Sequence, residues 1–140
     1  MKDASQKLLK KAGRAIHAAE ALQEAGVGGT NAPPASLAVG EPDFACGRAY
    51  YAMFYSLQAL LFENGIKFRK HGSVHSALAE HFTRKGIIEA RFHQMIVGAY
   101  EDRITGDYGV EADFEAADAR ERIENAREFL GMVMKNLRVQ

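Results

Sequence analysis

Apolar residues recur at intervals of three and four along most of the chain, the spacing of one face of an α-helix. The first such run carries Leu8, Ala12, Ala15, Ile16, Ala19 and Leu22, with Lys7, Lys10, Lys11 and Arg14 on other faces. It predicts an amphipathic helix that ends by Gly26. The second run has no polar face. From Phe44 to Phe62 every residue except Arg48 is uncharged and most are apolar. Pro42 suits the first turn of a helix there, and Gly65 ends it. A helix hydrophobic all round must be covered on most sides, so it is either the centre of a bundle or shared between the core and a subunit interface. So short a chain has few neighbours to cover it, and a dimer is expected. Ser73 can cap a shorter helix that carries Val74, Ala77, Leu78 and Phe82 and stops at Gly86. A fourth stripe holds Ile88, Phe92, Met95, Ile96 and Ala99, broken by Gly106 and Gly109 around Asp107 and Tyr108. The last helix starts near Asp113 and shows Ile123, Ala126, Leu130, Val133 and Leu137. Five helices and no strand signal make the expected fold all-α.

Residues 26–40 interrupt the pattern with two adjacent prolines and four glycines, which excludes regular structure and predicts a long flexible loop. No Gly-Lys-Ser/Thr follows, so a phosphate-cradling P-loop is not indicated. The 140 residues suit a single domain over 1–140. No apolar run approaches the roughly 18 residues that cross a bilayer, so no membrane is expected. The N-terminus leads into a charged amphipathic stretch without a secretory h-region, and the single cysteine cannot form an intrachain disulfide; both place the protein in the cytoplasm. Cys46, among Phe44, Ala45 and Ala49, reads as packing. Arg48 alone does not provide the electropositive setting that a reactive thiol needs.

The 18 basic and 18 acidic residues cancel but are segregated. Residues 1–17 hold five Lys or Arg against one Asp, 67–91 hold six against two acids, and 101–128 hold four against ten. Either basic and acidic helices attract one another inside the bundle, or a basic face awaits a phosphate-bearing partner.

Two arginines stand where the apolar pattern would put a hydrophobe. Arg103 continues the stripe of Phe92, Ile96 and Ala99, and Arg48 is in line with Phe44, Tyr51 and Tyr55. A buried or half-buried guanidinium needs a carboxylate, carbonyl or bound anion to offset its desolvation. Asp107, four residues after Arg103, has the spacing of a pair on one helical face. The arginines therefore form internal ion pairs or a phosphate site between the second helix and the end of the fourth, since the guanidinium fork matches a phosphate. His71 and His75 are four apart, but no glutamate stands between them and no third ligand has a convincing spacing, so no metal or other cofactor is expected. His71, beside Lys70 on the basic edge, is either a surface histidine or one that contacts a phosphate or transfers a proton.

The run Gly47-Arg48-Ala49-Tyr50-Tyr51-Ala52-Met53-Phe54-Tyr55, then Lys70-His71 before a helix, then Arg103-x-x-x-Asp107-Tyr108, resembles the HEPN superfamily over about residues 42–137, in particular its small prokaryotic members. The resemblance implies an antiparallel up-and-down bundle of four or five helices, commonly a homodimer. It also implies a toxin–antitoxin-like module with a minimal nucleotidyltransferase as partner. Many members are toxins that cleave RNA without metal through an Arg-x(4 to 6)-His motif on a late helix. In that motif the arginine binds phosphate and the histidine handles protons. Arg103 matches the arginine, which with Asp107 and Tyr108 makes up the catalytic candidates. Arg48, Tyr51, Lys70, His71 and Arg103 are the candidates for binding a nucleotide or RNA phosphate. The motif's histidine has no counterpart, because the offsets fall on Tyr108, Gly109 and Val110. Tyrosine, with a pKa near 10, can orient a phosphate or donate a proton but is a poor base near neutrality. His71 can substitute only if the fold brings it to Arg103. The alternative is a non-enzymatic helical adaptor or substrate-binding subunit for a nucleotidyltransferase, in which the arginines lock the core or the dimer.

Overall fold

The computed structural model describes residues 1–24, 42–108 and 114–139, with the backbone alone at 24, 105–108 and 139. Among them are five α-helices and no strand: α1 (Asp3–Glu24), α2 (Pro42–Glu63), α3 (His71–Leu78), α4 (Ala90–Tyr108) and α5 (Ala116–Val139). The protein is an all-α bundle, as the periodicity predicts. The loop expected over 26–40 lies outside the described residues.

The helix without a polar face is the central one. Tyr50, Met53, Leu57, Leu60 and Leu61 of α2 have no exposed surface, because α1, α3, α4 and α5 all pack on it. Four neighbours in the same chain cover most of it, while Phe44, Arg48, Tyr51 and Tyr55 lie along a side that the described residues leave open or half-buried. On the side of α1 the buried residues are mostly small, Ala12, Ala15 and Ala19 beside the larger Ile16. Ile88 just before α4, Phe92 and Ile96 of α4, and Phe129 and Val133 of α5 complete the core. Polar Ser56 is tolerated at the centre because its hydroxyl donates to the carbonyl of Ala52 at 2.6 Å.

Glycines end two segments by adopting positive φ, Gly65 at 69° after α2 and Gly86 at 73° after α3, a conformation that side chains with a Cβ disfavour. Between α3 and Gly86 the helix widens into one π-helical turn, Ala79–Thr83, which leaves Phe82 buried. Ser73 does fasten the start of α3, though from its third position. Its hydroxyl accepts from the amides of Arg69 (3.1 Å) and Lys70 (3.0 Å) and donates to the carbonyl of Lys70 (2.9 Å). Helix α4 differs from expectation at its end, running through Gly106 to Tyr108. One glycine disfavours a helix by only about 1 kcal/mol, which the flanking turns absorb.

Ion pairs tie α5 to its neighbours: Arg127 to Glu20 of α1 at 2.6 Å, Arg91 of α4 to Glu128 at 2.6 Å, and Arg122 to Asp102 of α4. Of these three, the pair of Arg91 with Glu128 joins a basic stretch to an acidic one. The pair of Arg122 with Asp102 lies within the acidic stretch, and that of Arg127 with Glu20 runs from the acidic stretch to a glutamate of basic α1, so they are local pairs and not an attraction between whole helices of opposite charge. Among the described residues no helix is long and apolar enough to cross a membrane.

Candidate functional site

The lock that Ser73 puts on the first turn of α3 makes His71 its first helical residue and sets His75 one turn later on the same side. Both face Tyr50 of α2, whose hydroxyl lies 2.7 Å from Nδ1 of His71 and 3.0 Å from Nε2 of His75. Phe54 stacks on His71 at 4.3 Å between centroids, and Tyr100 of α4 stands 5.5 Å from it on a tilted plane. His71 is thus a half-buried imidazole enclosed by rings from α2 and α4. Its pKa is lowered by burial and by the positive charge of Arg103, so it is neutral near pH 7. His75, deeper, is held at about 4 by burial and by the neighbouring His71 and His93. Burial also raises the pKa of Tyr50, with Tyr100 adding to the effect, so the phenol keeps its proton.

A single O–H between two imidazole nitrogens links their tautomers. Tyr50 can donate to one ring only, and the other ring must donate an N–H to the phenol oxygen. When His71 carries a proton on Nδ1 and gives it to Tyr50, the phenol donates to His75 and the free Nε2 of His71 is a lone pair. That state is a base with one available nitrogen. Protonating Nε2 then yields an imidazolium whose Nδ1–H already has an acceptor.

The two arginines meet over one ring. The guanidinium carbon of Arg103 is 5.2 Å and that of Arg48 5.8 Å from the centroid of Tyr51, inside the range of cation–π attraction. Tyr51 in turn lies 6.4 Å from the ring of His71. The fold therefore gathers Arg48, Tyr51, His71 and Arg103 from three helices, the juxtaposition on which a role for His71 depends. Arg103 is half-buried as expected. Arg48 is not; it is exposed. The stripe of Phe44, Arg48, Tyr51 and Tyr55 is the open side of α2, so Arg48 keeps its hydration and needs no buried counterion. Lys70 is also exposed. The side chains of Asp107 and Tyr108 lie outside the described residues.

Tyr50, His75 and Tyr100 belong to the cluster but were not among the residues singled out for binding or catalysis. The tandem Tyr50-Tyr51 and the four-residue spacing of His71 and His75 were visible signals, yet only tertiary packing shows that a phenol is what the histidines share. Cys46 is 1% exposed, and burial pushes its thiol up to about 12, consistent with inert packing.

Residues 33–137 match the HEPN domain. A protein of Thermotoga maritima named "UPF0332 protein" is 35% identical over 91 residues, 65% of this chain and 69% of that protein. Two proteins of Methanocaldococcus jannaschii bear the name "Putative toxin". One is 32% identical over 95 residues, 68% of this chain and 65% of its own length; the other is 32% identical over 94 residues, 67% and 69%. A domain match over most of the chain, on a helical bundle that carries the Arg-Ala-Tyr-Tyr block and Arg103 around one cluster, shows that this protein belongs to the HEPN domain family.

Proposed function

We propose that the Tyr51 cluster holds a phosphodiester of RNA and promotes its cleavage, with His71 in the role that the late-helix histidine has in HEPN toxins. The observation that carries this reading is that His71, neutral and tethered through Nδ1, comes from α3 to the electrostatic neighbourhood of Arg103. The chemistry needs no external reagent. The Nε2 of His71 takes the proton of a ribose 2′-hydroxyl, the 2′-oxygen bonds to phosphorus, and the P–O5′ bond breaks, with water protonating the departing 5′-oxygen. Arg103 and Arg48 stabilise the charge that builds on the phosphoryl oxygens. Because the base must be unprotonated, cleavage should rise with pH through an apparent pKa below 6.5 and level off above it.

The test is incubation of the purified protein with a single-stranded RNA and with its 2′-deoxy counterpart. Cleavage of RNA alone, at least about 100-fold slower in Arg103→Ala and in His71→Gln, supports the proposal. RNA that stays intact refutes the nuclease and leaves the adaptor reading, which binding to a minimal nucleotidyltransferase would then support. Family membership and the toxin names of relatives support a two-gene module with such an enzyme, and co-purification with the product of a neighbouring gene tests it. A homodimer belongs to the same proposal and rests on the family resemblance; light scattering at micromolar concentration decides it.

A further inference from the structure

Cations and aromatic rings continue beyond the cluster in one line along the groove between α1 and α2. Tyr51 and Tyr55 stand one turn apart on the open stripe of α2, their rings stacked with centroids 5.8 Å apart and planes at 26°. Lys11 of α1 places its Nζ 4.6 Å from the centroid of Tyr55. Beside Lys11, the exposed Lys7, Lys10 and Arg14 surround a shallow depression of about 250 Å³. In the other direction a cavity of about 530 Å³ opens between the two helices, walled by Ala18, Ala21, Leu22 and Phe44 and sharing Arg48 and Tyr51 with the cluster. The sequence places no carboxylate on α1 from Lys7 to Ala18 or on α2 from Phe44 to Tyr55, and Glu20, next along α1, is paired with Arg127 of α5.

We propose that this groove is a track for single-stranded RNA. Bases stack on Tyr55 and Tyr51 and in the cavity beside Phe44, and phosphates follow Lys11, Arg14, Arg48 and Arg103. The span from Phe44 to Tyr55 on α2 is about 16 Å at 1.5 Å per residue, long enough to engage more than one nucleotide. Rings on the floor of a groove select unpaired bases, because the faces of bases in a duplex are already occupied by their neighbours. Sequence preference should be weak, since stacking does not discriminate among bases. An acidic peptide would satisfy the cations but leave the stacked rings unused. The proposal rests on the reading that the Tyr51 cluster holds an RNA phosphate, and it adds a direction along which the strand leaves that site.

The experiment is fluorescence anisotropy with a labelled 2′-O-methyl oligouridine, which cannot be cleaved through a 2′-hydroxyl, at several salt concentrations. In the double variant Lys11→Ala/Arg14→Ala, altered only at exposed positions, affinity at low salt should fall at least tenfold. The slope of log K against log salt should also shrink by about 1.4, or 0.7 for each lost phosphate contact to a single strand. Tyr55→Ala should weaken binding about tenfold, with circular dichroism checking that it is folded, and Lys85→Ala should change nothing. A self-complementary duplex of equal length should bind at least tenfold more weakly. If the double variant keeps the affinity and slope of the parent while Arg103→Ala abolishes binding, the cluster stands and the track is refuted. Failure of the parent protein to bind the oligouridine overturns both. Equal binding of a polyglutamate peptide, lost in the same variants, would assign the groove to an acidic protein partner instead.

Discussion

Acid should destabilise this protein through His75. The imidazole is 7% exposed, its Nε2 is bonded to Tyr50, and its pKa is about 4 in place of the ordinary 6.5. An unfolded chain therefore binds a proton at His75 near pH 6.5, whereas the folded chain resists until about 4. Between those values the unfolded state carries more protons, so stability falls as pH falls. Above 6.5 the contribution is complete, and below about 4 it is lost. The ratio of the two proton affinities is about 300, which at 1.36 kcal/mol for each tenfold step amounts to about 3 kcal/mol. Set against the roughly 5–15 kcal/mol that stabilises a domain, this is large enough to dominate the acid limb. The assay is urea denaturation followed by circular dichroism from pH 7.5 to pH 4, on the parent and on His75→Gln. Glutamine can keep a polar atom near the Tyr50 hydroxyl but does not titrate. Contributions from the partly exposed His71 and from the other titrating groups occur in both proteins and largely cancel in the difference. The stability gap between the two should move by about 3 kcal/mol in favour of the variant as the pH falls from 6.5 to 4. Parallel curves would refute the dry, singly bonded His75 described here, and with it the link between the two imidazoles.

Tyr50→Phe removes the O–H that both histidines share and should destabilise the protein by about 1–3 kcal/mol in urea denaturation, since it leaves a buried nitrogen without a partner. Arg122→Ala should cost about 2 kcal/mol because it strands the largely buried carboxylate of Asp102, whereas Arg127→Ala, which breaks a more exposed pair with Glu20, should cost less than about 1 kcal/mol. Cys46 should resist iodoacetamide at pH 8 in the folded protein and react fully in urea; rapid native alkylation would contradict its burial.

The helices were legible because the core is simple. Ala12, Ala15, Ile16 and Ala19 of α1 and the positions Ile88, Phe92, Ile96 and Ala99 are buried where a 3.6-residue period puts them, with Leu8, Leu22 and Met95 of the same stripes half-buried. On α5 the period is right but the centre of the face is shifted. Phe129 is fully buried while the expected Leu130 and Leu137 pack at the margin, because a helix covered on one broad side leaves adjacent positions nearly equivalent. The environment of Arg48 was not legible. Its line with Phe44, Tyr51 and Tyr55 was correctly seen, but a stripe of mixed aromatic residues looks the same in sequence whether it faces a neighbour or an open groove. What decides between them is how α1 and α4 pack against α2, which no local pattern encodes. His71 and His75 illustrate the same limit, since a spacing of four places two imidazoles on one face but does not name the group they face.

That distinction bears on how a catalytic imidazole can be replaced. In the motif that this chain resembles, arginine and histidine come from the same stretch of late helix, so their separation is fixed by helical geometry. Here Arg103 stays on α4, the offsets that would supply a histidine hold Tyr108, Gly109 and Val110, and an imidazole arrives from α3. Proton transfer depends on where the nitrogen stands relative to the phosphate and on its pKa, and neither depends on which helix carries it. The turn that Ser73 locks and the ring of Phe54 fix where the His71 imidazole stands, and burial and the charge of Arg103 lower its pKa. A histidine on another helix must be held by tertiary contacts, and those of His71 are mostly aromatic. Four rings, those of Tyr50, Tyr51, Phe54 and Tyr100, lie within 6.4 Å of it between centroids. Partial burial among those rings lowers the pKa of His71 from the ordinary 6.5, and the positive charge of Arg103 lowers it further; in the proposed reaction this widens the pH range over which the imidazole is unprotonated.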